Sequence, residues 1–415
     1  MQRTDRIPAL DGLRGVAILL VLMAHLRHVV GSTPVDHAVD TVLLSGYSGV
    51  DLFFVLSGFL ITGVLLDAKG DEHYFRNFYA RRALRILPLY YGTVAFLLWI
   101  YPILHPSGIG PHIALERRQW WYWLHLTNIG ALVPDPWRLP YNTGHFWSLA
   151  LEEQFYFLWP IVVLRSSDRT LLKTCAVGIV VAAVLRLIMS AANMDDAWSY
   201  RLLFTRMDTL LGGAAVAVLA RQPDGLPRLR RAATRWGLPA ALILATTFTL
   251  WEGMHIVDLP FRTIGYSAAV VMYGALLTLA VAGPFADALS HPVLRFFGKY
   301  SYAMYVFHPM LLTKSSWVGT LADRATAITG WTLVGTGIYY VLGVGLVSVV
   351  AYLSWHLYER WFLALKRFVP RREPLRLPTD VVVRIPLVAD APALRAVSNR
   401  ETTPRGQPNP EAESS

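Results

Sequence analysis

PALDGLRGVAILLVLMAHLRHVV, residues 8–30, puts an arginine and a histidine inside a run that otherwise reads as a membrane helix. Such groups are expensive in a bilayer. Even lenient scales charge about 2.5 to 3.5 kcal/mol for an arginine at the centre of a membrane helix, so an ionisable residue there usually has a task. Arg14 and His25 are eleven positions apart; at about 100° per residue, eleven steps come round to within about 20° of the start, about 16 Å further along the axis. Both side chains are therefore expected on one helix face, as two stations on a single internal path.

The rest of the chain repeats the apolar pattern. Of its 415 residues 54% are hydrophobic and 16% charged, and runs of about 20 apolar residues alternate with short polar loops, the pattern of helices crossing a hydrocarbon layer about 30 Å thick. The fold class expected is an all-α polytopic membrane protein. The period-two alternation of a transmembrane barrel is missing. The formal net charge of +10 is spread over loops and the C-terminal tail, so membrane topology explains it and no nucleic-acid partner is expected. The single cysteine, Cys175, gives neither a disulfide framework nor a thiolate metal site. The N-terminal run lacks a small-x-small cleavage site and is expected to be retained.

Loop charges set the orientation. Lys69, Arg76, Arg81, Arg82 and Arg85 follow the second span, residues 50–66, whereas Asp36 and Asp40 precede it; by the positive-inside rule the N-terminus and the basic loop are cytoplasmic. Continuing this alternation gives ten spans, at residues 10–30, 50–66, 86–104, 145–164, 174–192, 202–220, 236–251, 263–283, 300–315 and 331–357, with both termini in the cytoplasm. The Pro-, Gly- and Trp-rich stretch 106–144 is expected to be irregular, with Trp120, Trp121, Tyr122 and Trp123 in an outer interfacial or re-entrant segment. Residues 1–368 form the membrane domain, and 369–415 a disordered cytoplasmic tail.

Several residues inside or beside the spans carry possible chemistry. A neutral imidazole at His25 can deprotonate a hydroxyl; the competing reading has Arg14 snorkelling to headgroups beside Asp11, a candidate helix N-cap, and His25 bonded to a carbonyl. His28 invites a metal reading, but a third ligand is missing and no metal is expected. GVDLFFVLSGFLITG offers Ser57 as a nucleophile, or Gly58 as a site of close helix approach. Arg82 and Arg85, three apart in RNFYARRALRILP, suit phosphate groups by their fork geometry, and a topological anchor is the alternative. Glu152 and Glu153 interrupt the apolar run GHFWSLALEEQFYFLWP, either orienting a histidine or pairing with an arginine on another helix. Arg206 and Asp208, two apart in RMDTLLGG, do not share a face, so each needs a partner elsewhere. His308, ahead of Pro309, reads as a core histidine at a kink.

Together, LDGLRG with His25, GVDLFFVLSGFLIT, ARRALRILP, HFWSLALEEQFYFLWP, RMDTLLGG and SYAMYVFHP resemble, in order and spacing, the acyltransferase-3 family of integral membrane O-acyltransferases, over about residues 6–360. The resemblance implies ten spans and transfer of an acyl group, commonly acetyl, from cytoplasmic acyl-CoA to a hydroxyl of a carbohydrate or other acceptor. It places the family's arginine and histidine on Arg14 and His25, its loop arginines on Arg82 and Arg85, its serine-glycine-phenylalanine on Ser57, Gly58 and Phe59, and its glutamate on Glu152. Some glycan-modifying members carry an esterase-like domain after the membrane part. This chain has a polar tail there, which leaves single-step transfer, delivery to a separate partner, or a small acceptor.

The function expected is therefore O-acyl transfer in the cytoplasmic (inner) membrane, with acyl-CoA as co-substrate rather than a bound cofactor and a carbohydrate or lipid-linked glycan as acceptor. Arg14, Arg82 and Arg85 would hold the donor, and His25 would act as general base aided by Glu152, with Asp11, Ser57, Gly58, Phe59, Glu153, Arg206 and Asp208 in support. The alternatives are acylation of a small glycosylated metabolite such as a macrolide, and a lipid-linked saccharide transporter whose buried charges line a path. A transporter would show internal repeats with paired broken helices, which the sequence lacks.

Overall fold

Proline at the start of the first apolar run sets the first helix: α1, Pro8–His25, has Pro at its first turn and Ile7 at its N-cap, where the missing N–H costs nothing. Asp11 therefore lies inside the first turn rather than at the cap, and its carboxylate faces the positive end of the helix dipole. The computed structural model describes residues 7–27, 33–104, 109–130, 132, 140–250, 260–312 and 316–369. His28, part of the stretch 106–144 (residues 106–108, 131 and 133–139) and residues 370–415 of the expected tail lie outside them.

The described residues form helices and turns, with no strand among them. After α1 come α2 (Pro34–Leu44), α3 (Gly49–Asp67), α4 (Tyr74–Ala95), α5 (Ile109–Trp123), α6 (Phe146–Arg165), α7 (Asp168–Ala191), α8 (Leu203–Leu219), α9 (Gly225–Leu250), α10 (Tyr266–Ala282), α11 (Pro292–Leu311), α12 (Trp317–Thr329) and α13 (Thr332–Ser354), with shorter helical pieces among the other described residues. Among the described residues seven helical stretches are long and apolar enough to cross a membrane. The chain is an all-α polytopic membrane protein. Helices α6, α9 and α11, at 20, 26 and 20 residues, are also long enough to span; they carry the polar residues Glu152 to Gln154, the arginines 228, 230, 231 and 235, and Arg295 with Lys299.

Three segments differ from the sequence reading. RNFYARRALRILP is no loop: it lies within α4, with Pro88 inside the helix. The Trp-rich stretch is largely helical too, because Tyr90 and Tyr91 of α4 donate their hydroxyls to the carbonyls of Tyr122 and Trp123 at 3.0 and 2.9 Å and so satisfy the end of α5. Trp120 stays exposed while Tyr122 is buried. The acidic stretch before the second span holds α2, started by a Thr33–Asp36 capping box.

Two glycine contacts fix the centre of the bundle. A Cβ on Gly12 or Gly15 of α1 would collide with the carbonyl oxygens of Leu289 and Leu294, and one on Gly298 of α11 with that of Asp11. The LDGLRG motif thus lets α1 and α11 touch backbone to backbone. Gly58 of α3 and Gly213 of α8 repeat the arrangement, facing the carbonyls of Leu210 and Val55. Phe59, next to Gly58, is core.

Candidate active site

Four helices bring polar groups together at the Arg14 level of α1. Ser57 of α3 donates to Glu152 Oε1 of α6 at 2.5 Å, and Tyr156 OH donates to Ser57 Oγ at 2.8 Å. Glu152 and Tyr156 are four apart, so one face of α6 presents both. The Arg82 guanidinium of α4 lies 3.8 Å above the Tyr156 ring and within electrostatic reach of Glu152 and Glu153. Arg14 is within reach of Asp11, Arg82, Glu152 and Tyr156. Two arginines and three carboxylates, Asp11, Glu152 and Glu153, thus offset one another where neither sign could stand alone in an apolar medium. Arg85, one turn along α4, lies within electrostatic reach of Glu359.

These groups are not packed shut. Arg14, His25, Ser57, Arg82, Glu152 and Glu153 all keep partial accessibility although they lie deep among the helices.

His25 is at the other station. As the last residue of α1, it stands eleven residues from Arg14, about 16 Å along the axis. Its Nδ1 is 2.9 Å from Val21 O. A carbonyl only accepts, so Nδ1 carries the proton and Nε2 is left with a lone pair. Around it stand Tyr47 and His308, with ring centroids 5.1 and 4.8 Å away. His145 lies 5.2 Å from His308, and Tyr305 OH shares a 2.5 Å hydrogen bond with Ser148. Ser148 and Glu152 are one turn apart on α6, so that helix joins the two stations. Glu152 itself bonds to Ser57, at the Arg14 level.

A third polar cluster is fully enclosed. Arg206 pairs with Asp51 at 2.7 Å and Arg186 with Asp208 at 2.8 Å, all four side chains at most 2% exposed. The two residues of RMD thus find separate partners, as their spacing requires. Arg206 also lies 3.8 Å above the Tyr266 ring. The pairs tie α8 to α3 and α7, with no accessible edge.

The structure brings Arg14, Ser57, Arg82, Glu152 and Glu153 to one place, whereas the sequence reading sets Glu152 beside His25 and does not single out Tyr156, Tyr47, His145 or Tyr305. Tyr156 could be found, being four residues after Glu152 in the same motif; the others meet only through tertiary packing. Asp51 and Arg186 bear the mark that singled out Arg14, an ionisable residue in an apolar run.

The family model described as an acyltransferase domain, acyltransferase-3, matches residues 7–363. The peptidoglycan O-acetyltransferase OatA of Listeria monocytogenes is 29% identical over 338 residues, 75% of this chain and 51% of that protein. A putative peptidoglycan O-acetyltransferase of Bacillus subtilis, YrhL, is 28% identical over 85% of this chain and 54% of its own length. The O-acetyltransferase OatA of Staphylococcus aureus is 26% identical over 75% and 51%. The chain spans about half the length of these relatives. No solved structure matches. With ordered motifs and a family model that both run almost from end to end, the chain belongs to the acyltransferase-3 family.

Proposed function

We propose that the protein is an O-acetyltransferase of the cytoplasmic membrane that moves the acyl group of acetyl-CoA to a hydroxyl of a cell-envelope glycan, with peptidoglycan the first acceptor to test. The observation that carries this reading is the separation of two stations on one helix, an arginine cluster around Arg14 and a lone-pair imidazole at His25 about 16 Å away. That distance suits an extended donor. Phosphates held by Arg14 and Arg82, with Arg85 nearby, leave the donor's flexible arm to run past Ser57 and Tyr156 toward His25. Glu152 and Glu153 on this reading keep the arginines oriented and offset their charge in the empty site, so Glu152 serves the donor rather than His25.

At His25 the acceptor hydroxyl attacks the thioester carbonyl while Nε2 takes its proton; the C–S bond breaks, and the departing thiolate receives that proton. The Nδ1–H bond to Val21 O fixes the tautomer this requires. The names of the relatives support the glycan acceptor.

The test is transfer of radiolabelled acetyl from acetyl-CoA to N-acetylglucosamine–N-acetylmuramic acid oligosaccharides by the full chain in proteoliposomes, wild type beside His25→Ala. Label in the oligosaccharide with wild type alone is expected. Transfer by His25→Ala would overturn the assignment of the base, and inert wild type that does not bind acetyl-CoA would overturn the donor.

A further inference from the structure

His308 carries one polar atom too many for the structural role its position suggests. Pro309 has no N–H, so the carbonyl of Tyr305, four residues earlier, loses its helical donor. His308 Nδ1 replaces that donor, 2.8 Å from Tyr305 O and 3.1 Å from Met304 O. Nδ1 therefore holds the ring proton and Nε2 is a bare lone pair. The side chain is fully buried, and Nε2 has no hydrogen-bond partner. An enclosed acceptor without a donor costs about 1–3 kcal/mol, and the kink does not account for it.

What stands next to it is the proposed base. The His308 and His25 rings pack in a T shape, with centroids 4.8 Å apart and planes at 82°. His145 differs, because neither of its ring nitrogens is left open: they face Asn142 O at 3.3 Å and Val306 O at 3.1 Å, and the single ring proton of a neutral imidazole serves one of the two. During transfer His25 becomes an imidazolium. A lone pair on a ring packed against a charge that exists only during the reaction stabilises the transition state more than the resting protein.

We propose that His308 is a positioning residue for acyl transfer, its Nε2 lone pair stabilising the imidazolium formed on His25 when the acceptor hydroxyl is deprotonated. This rests on the functional reading above. His308 keeps its own Nδ1 proton throughout; the hydroxyl proton passes to His25 and then to the departing thiolate.

The experiment uses the same proteoliposome assay with two substitutions. His308→Asn keeps an amide donor for the Tyr305 carbonyl and removes the group at Nε2. The second variant is His308→Ala in a Pro309→Ala background, where a backbone N–H again serves Tyr305 O and only the Nε2 group is lost. Each is expected to lower kcat about tenfold or more, with KM for acetyl-CoA within about twofold of its parent. Transfer at the parent kcat in either variant would leave His308 a kink residue and overturn the proposal. A raised KM with unchanged kcat would do the same. Wild type that neither binds acetyl-CoA nor transfers label would overturn the functional reading itself, and the role of His308 with it.

Discussion

Ser57 donates to Glu152 across the α3–α6 contact at 2.5 Å while accepting from Tyr156 at 2.8 Å. A serine paired with a carboxylate resembles an activated nucleophile, but the pair sits among Arg14 and Arg82, and Ser57 Oγ bonds to Glu152 and Tyr156 rather than to an imidazole. On the proposed function, its place makes it part of the donor cradle. Ser57→Ala should then keep kcat within about tenfold and raise KM for acetyl-CoA, since one charge-assisted hydrogen bond contributes about 1.5–3 kcal/mol. Steady-state kinetics in proteoliposomes check this, and a kcat loss beyond about a thousandfold would favour an acyl-serine.

Glu152→Gln keeps the volume and an acceptor for Ser57 but leaves Arg14 and Arg82 with less compensating charge. Donor phosphates then meet a more positive cradle. Tighter acetyl-CoA binding, about two- to tenfold, is expected together with reduced turnover, because the donor is released less readily. Binding and single-turnover measurements on the same preparation separate the two effects.

The enclosed pairs Arg206–Asp51 and Arg186–Asp208 predict stability rather than kinetics. Removing one partner leaves a buried charge uncompensated, at a cost of about 3–5 kcal/mol. Asp51→Ala should therefore lower the unfolding temperature in detergent sharply, whereas Asp51→Ala with Arg206→Met should recover much of it. Equal loss in the single and double variants would show that the pair is not the cause.

Gly58 sets the distance between α3 and α8, since a Cβ there meets the carbonyl oxygen of Leu210. Overpacking usually costs about 1–3 kcal/mol, and backbone atoms cannot move aside as a side chain can. Gly58→Val should thus destabilise by at least that much, while Gly337, with nothing within 4 Å of its Cβ position, should tolerate alanine without loss. Thermal unfolding of both variants checks the contrast.

Much of this was legible because a bilayer makes sequence signals loud. The helical class follows from apolar runs, and Arg14, Glu152 and Asp208 stand out because a charge in such a run needs a partner. Partner identity was not legible: Asp51 is 155 residues from Arg206, and no local spacing links them. The helical state of the ARRALRILP segment was obscured by its arginines and by Pro88, and α5 by its glycine and proline. His308 was readable as a kink residue. The emptiness of its Nε2 depends on three helix ends meeting, so packing alone reveals it.

The central claim is a division of labour along α1, with the donor held at Arg14 and proton transfer at His25. Acetyl-CoA affinity and single-turnover acetyl transfer, measured together on Arg14→Ala, Arg82→Ala and His25→Ala, test it most directly. The account predicts about tenfold or weaker donor binding for each arginine variant, in line with the loss of one charge-assisted contact, and near-normal binding with transfer reduced at least about a hundredfold for His25→Ala. Loss of donor binding in His25→Ala, or transfer that survives it, would contradict the account.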